Sequence, residues 1–267
     1  MSGSRRGTRS IASAAPNKHA LEVPALTAVG SLPRPSYIAH PGLARRLRLI
    51  GEMVVLYLVI PVVMTYVILA YRLPLFTVLP PLVVAFTLFL LADPSFSMKR
   101  ELLAGFALRH LLWIALMLVM AGGALAFVVS EVMPREFLAM PRERPQVWRR
   151  VMLFYPLLSV IPQEIAYRTF FFHRYGPLFG HHRWAMIGIN AMLFGFGHVL
   201  FGNWLAVVGT TLTGLLFAYR YERSRSLWAV AIEHSLWGML VFTIGLGGYF
   251  FTGIAFQGDF RLPWISK

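Results

Sequence analysis

The chain has 267 residues, of which 57% are hydrophobic, 14% aromatic and 13% charged, with a net charge of +14 and a mean hydropathy of +0.64. A soluble domain of this size carries about 25% charged residues, so the composition excludes an ordinary soluble domain and implies a polytopic membrane protein. The absence of cysteine excludes thiol catalysis, disulfides and cysteine-held metals.

Residues 1–44 are rich in Ser, Pro, Gly and Arg and lack an apolar period. They read as a disordered, basic, cytoplasmic tail, with a transit peptide as the alternative. Residues 45–267 read as one transmembrane domain. Apolar runs near the ~20 residues that cross the hydrocarbon predict seven spans. The first three cover about Met53 to Tyr71, Leu73 to Ala92 and Leu111 to Ser130. A charged loop from Glu131 to Arg150 follows, with five arginines and three glutamates. The last four spans cover about Val151 to Phe172, Trp184 to Phe201, Trp204 to Tyr219, and Leu227 to a break around Gly245, Gly247 and Gly248.

Lys and Arg flank these runs. The positive charge therefore reads as a topology signal and as contact with the anionic headgroups of membrane lipids, not as nucleic-acid binding. The bias places the N-terminus in the cytoplasm, as expected of a multi-pass protein of a bacterial inner membrane. The loop 131–150 contradicts that bias unless it lies on the interface as an amphipathic piece or one of the spans is misplaced.

Three titratable residues interrupt the later spans: Glu164, His198 and His234. Each costs roughly 2.5–3.5 kcal/mol at the bilayer centre even on lenient scales. Taken singly, each has a bland reading. Glu164 and Arg168, four residues apart, can neutralise one another on a helix face. A lone membrane histidine can serve as a helix-to-helix hydrogen bond. Together the three are expected to converge on one buried polar site. If a helix starts at Pro162, Glu164 lies near its N-terminus; if the helix runs on from Val151, Pro156 and Pro162 must kink it.

Three ordered motifs surround these residues. They are Gln163-Glu164-x-x-x-Arg168, then Phe194-x-x-x-His198, then His234-x-x-x-Gly238. Over about residues 145–245 the set resembles the CAAX protease and bacteriocin-processing family of intramembrane endopeptidases, also called the Abi family. That resemblance implies an all-α helical bundle and a glutamate-type protease with no obligatory metal. On our reading of these residues Glu164 and His198 activate water, His234 donates to the oxyanion, and Arg168 positions a carboxylate. The expected partner is a peptide or protein tail. Two positions depart from the family's pattern: Gln163 stands where a glutamate is usual, and Gly238 where an asparagine is usual. Asn190 and Asn203 are candidate replacements for the lost amide. Two other readings stay open. One is zinc held by Glu164, His198 and His234; the other is a catalytically silent scaffold or chaperone that binds a peptide tail.

Overall fold

The computed structural model describes residues 41–250 except 74 and 103–105. Most of the expected N-terminal tail, and residues 251–267 of the expected membrane domain, lie outside the described residues. Among the described residues there are helices and no strands.

Helix α1 spans Leu43–Tyr71 and closes on Arg72 in the left-handed conformation. Helix α2 spans Leu75–Leu91, with Pro80 and Pro81 inside it. A short α3, Met98–Glu101, leads to α4, Leu108–Val132. Helix α5, Ala139–Glu143, lies within the charged loop. Helix α6 begins at Pro145 and continues through Phe179 in successive helical stretches. Helix α7, Arg183–Phe196, ends in a 3-10 turn at Val199–Phe201. Helix α8, Trp204–Ser224, and helix α9, Leu227–Ile244, complete the bundle, followed by the 3-10 turn Leu246–Phe250.

All seven expected spans fall on helices. Four helical segments are long and apolar enough to cross a membrane: Leu43–Tyr71, Leu108–Val132, Arg183–Phe201 and Leu227–Ile244. The other three are shorter or more polar. The apolar part of α2 is Val78–Leu91. Helix α6 carries Gln163, Glu164 and Arg168 at its middle, and α8 carries three threonines and a charged last turn. The outer pair α1 and α4 are only 17% buried over their apolar windows, against 44% for α7 and α9. The first two therefore present apolar side chains outward, as lipid contact requires, while α7 and α9 bring polar groups inward.

Helix starts follow the sequence. Asn203 caps α8 by accepting the Ala206 N–H at 2.8 Å, and Ser226 caps α9 by accepting the Ala229 N–H at 3.1 Å. Helix α9 stops where the glycines suggest, at Gly245 with φ +108°. The charged loop contributes α5 and the first turns of α6. Met140 of α5 packs with Val151 and Phe242, and Trp148 Nε1 donates to Thr243 Oγ1 at 3.0 Å. The segment thus docks on α9 and does not dangle between spans.

Glu164 sits in the interior of α6, not at a helix start. The prolines are accommodated by widening: Pro156–Val160 and Ile165–Phe170 are π-helical turns inside a continuous helix. Proline lacks an N–H to give to the carbonyl one turn back, and a wider turn relieves that clash. Such turns also re-aim the side chains that follow, which is one reason they occur at functional sites.

One aromatic core holds α1, α2 and α6 together, built on Tyr57, Phe86, Phe170, Phe171 and Tyr175. Beside it, the ends of these helices are tied by charge. Arg174 makes a two-pronged ion pair with Glu52, both contacts at 2.8 Å. His173 Nδ1 lies 3.0 Å from Glu101 Oε1, and its Nε2 lies 3.5 Å from Asp93 Oδ2.

Candidate active site

Helices α6, α7 and α9 meet around a cavity of about 330 Å³. Its wall is mostly aliphatic and aromatic. The polar side chains on it include Tyr155, Ser159, Gln163, Tyr167, His198 and His234.

Glu164 is fully buried and does not line the cavity. Its Oε1 accepts from His234 Nδ1 at 2.8 Å, and its Oε2 lies 3.3 Å from Arg168 Nε. The four-residue spacing on α6 thus yields the expected pair with Arg168, and α9 supplies a second partner. Removing one member of such a buried pair leaves an uncompensated charge and costs about 3–5 kcal/mol.

Arg168 is itself fully buried. Its Nη1 donates to Asn190 Oδ1 at 2.7 Å, and its guanidinium lies 4.7 Å from the Phe194 ring centroid. Asn190 Nδ2 donates to the Tyr167 carbonyl at 2.6 Å. Asn190 therefore holds Arg168 and the α6 backbone, and does not face the cavity. Asn203, the other proposed replacement amide, caps α8 and donates to the Phe201 and Tyr249 carbonyls at 3.1 and 2.8 Å. Both asparagines are thus engaged away from Gly238.

His198 follows α7, where its Nδ1 meets the Phe194 carbonyl at 2.7 Å. A carbonyl only accepts, so Nδ1 carries a proton, and in the neutral ring Nε2 then holds the lone pair. The same reasoning applies to His234, whose Nδ1–H points to the Glu164 carboxylate. Phe194 is the ring between them, 4.7 Å from His198 and 5.6 Å from His234 by centroids. Phe217 stacks on His234 at 4.8 Å. The structure thus brings Glu164 and His234 into direct contact and sets His198 on the same cavity wall, across the Phe194 ring.

Gln163 does reach the wall. Its Nε2 donates to Ser159 Oγ at 2.8 Å, one turn back on α6. Among the described residues no carboxylate lines the cavity. Nor is any group of three or more His, Cys, Asp or Glu arranged to hold a metal ion. Of the three residues considered for zinc, Glu164 lies off the cavity wall, with Oε1 on His234 at 2.8 Å and Oε2 3.3 Å from Arg168 Nε.

The sequence reading missed Tyr155 and Tyr167. A cavity-lining tyrosine inside an apolar run carries no signal that separates it from core. The available hints were glycines on the facing helices. A Cβ at Gly238 would collide with the Tyr155 ring, and one at Gly197 with the Tyr167 hydroxyl.

Residues 145–240 match the family model of the Rce1-like type II CAAX prenyl endopeptidases. This agrees with the resemblance drawn from the motifs. The Rce1-like segment contains Tyr155, Gln163, Glu164, Arg168, His198, His234 and Gly238, and so every polar group of the cavity discussed above. Together with the helical bundle, the match supports a CAAX-type protease-like fold over that segment. No curated protein and no solved structure matches the chain.

Proposed function

We propose that the protein is an intramembrane endopeptidase that hydrolyses a peptide bond in a protein or peptide tail at this cavity. The observation that carries the reading is the Glu164–His234 hydrogen bond at the cavity wall, with His198 on the same wall. A carboxylate behind an imidazole fixes its tautomer and stabilises the imidazolium once it forms. Water held by Nε2 of His198 and Nε2 of His234 gives a proton to His234. The hydroxide adds to the carbonyl carbon, the C–N bond breaks, and His234 returns the proton to the leaving amine. Glu164 acts through His234, and Arg168 holds Glu164 in place. No step in this sequence needs a metal or other cofactor. The family match supports a CAAX-type prenylated tail as substrate, and the apolar cavity wall suits a lipid-like group. We place the protein in a bacterial inner membrane, among its lipids, with a cytoplasmic N-terminus.

A second reading rests on Gln163. Glutamine cannot accept a proton at neutral pH, and the cavity wall holds no carboxylate, which favours a silent scaffold that binds a tail. The test is the full chain in proteoliposomes with a quenched fluorescent farnesylated CAAX peptide. Cleavage that His234→Ala abolishes supports hydrolysis. A wild type that binds the peptide without cutting it, while Gln163→Glu cuts, establishes the scaffold.

A further inference from the structure

We propose that the Tyr155 hydroxyl is the oxyanion donor of this site. The inference rests on the hydrolytic reading above. An attacked carbonyl develops negative charge that needs a donor placed in advance, and the cavity wall offers few. Tyr57 donates to the Ala166 carbonyl, Thr210 to that of Ala206, and Thr213 to that of Gly209. Gln163 gives one of its N–H groups to Ser159 Oγ. Trp237 Nε1 has no partner but is sealed from solvent. Both histidines use their N–H on Glu164 and on Phe194.

Tyr155 differs from all of these. It sits at the turn of α6 where Pro156 opens the helix, and it crosses to α9. There its Cε1, Cζ and hydroxyl occupy the space a side chain at position 238 would need. The hydroxyl therefore lies one turn of α9 beyond His234, and the two rings meet edge to face at 6.1 Å. It makes no hydrogen bond among the described residues. A base from α9 and a donor from α6 thus share one wall, the hydroxyl lying level with Gly238, four residues on from His234. The phenol O–H is a donor available to an oxyanion. Tyr167, whose hydroxyl lies against Gly197, stands instead beside His198, the group that holds the water.

The test uses the full chain in proteoliposomes and the same farnesylated peptide. Tyr155→Phe keeps the ring and its packing. It should lower kcat by roughly 10²–10³, the usual effect of losing one such donor, with KM changed less than about threefold. In a Tyr155→Ala background, Gly238→Asn has room for its amide and should recover kcat at least about tenfold over Tyr155→Ala alone. Wild-type kcat in Tyr155→Phe, or a loss confined to Tyr167→Phe, overturns the assignment while leaving hydrolysis standing. A wild type that cleaves nothing overturns both.

Discussion

Gln163 and Glu164 are neighbours in sequence but occupy different environments. Gln163 lines the cavity and donates to Ser159, whereas Glu164 lies behind it and holds His234 and Arg168. Adjacent residues on a helix are about 100° apart, and the rotation of α6 here brings Gln163 and not Glu164 to the cavity. That one carries an amide. Gln163→Glu would add a carboxylate to the wall without disturbing the Glu164 pair. It is expected to raise peptide cleavage by the full chain, measured as kcat on the farnesylated peptide. An unchanged rate would show that a carboxylate at this position has no part in the reaction.

Glu164→Gln should separate position from charge. The amide can keep contact with His234 but cannot stabilise its imidazolium, and loss of the equivalent carboxylate in a catalytic triad lowers kcat about 10⁴-fold. The change also leaves Arg168 buried without its counter-charge. Unfolding in detergent should therefore occur about 3–5 kcal/mol more easily. Glu164→Gln with Arg168→Met should regain part of that stability without regaining activity. Full activity in Glu164→Gln would remove the proposed dyad.

Gly195 is the tightest helix contact in the site. A Cβ there would overlap Thr211 Oγ1 and come within 2.9 Å of the Val207 carbonyl oxygen. Because backbone cannot yield as a side-chain tip can, Gly195→Ala must push α7 away from α8. A cost of about 1–3 kcal/mol is expected from overpacking, read as a lower thermal unfolding midpoint. Since His198 lies three residues on, cleavage should fall as well. An unchanged midpoint would mean that the two helices pack more loosely than described.

The charged tie at the ends of α2 and α6 should make stability depend on pH. Burial works to lower the His173 pKa, but Glu101 and Asp93 face both ring nitrogens and outweigh it, raising it above the ordinary 6.5. The folded state therefore favours protonated His173. Its contribution is fully present below 6.5 and is lost as pH rises through the raised value. Asp93 runs the other way: burial raises it, but hydrogen bonds from Ser95 prevail and hold it below its ordinary 3.8. Its contribution is lost only as pH falls below that range. The unfolding midpoint in detergent should drop between about pH 6 and pH 8.5 in the wild type, and His173→Gln should flatten that drop. A drop of the same size in His173→Gln would assign it to another group.

Helicity, the positions of all seven apolar runs and the stop at Gly245 were legible in the sequence, because hydrophobic period, capping residues and glycine act locally. The convergence of Glu164, His198 and His234 was legible for an energetic reason: isolated titratable groups in apolar spans have to find partners. What the sequence could not decide is which of Gln163 and Glu164 faces the cavity. That depends on the rotation of α6, and the widened turns at Pro156–Val160 and Ile165–Phe170 change that rotation in a way no linear period records. The role of Asn190 was hidden for a similar reason. Its partners, Arg168 and the Tyr167 carbonyl, lie on another helix, and only packing shows that they engage both ends of its amide. Tyr155 shows the same limit from the other side. In sequence it is one aromatic residue in an apolar run, and its position beside His234 exists only because α9 has no side chain at Gly238 and α6 opens at Pro156. Local chemistry determined which residues are helical and which must be satisfied; the packing of α6 against α9 decided which of them reach the cavity.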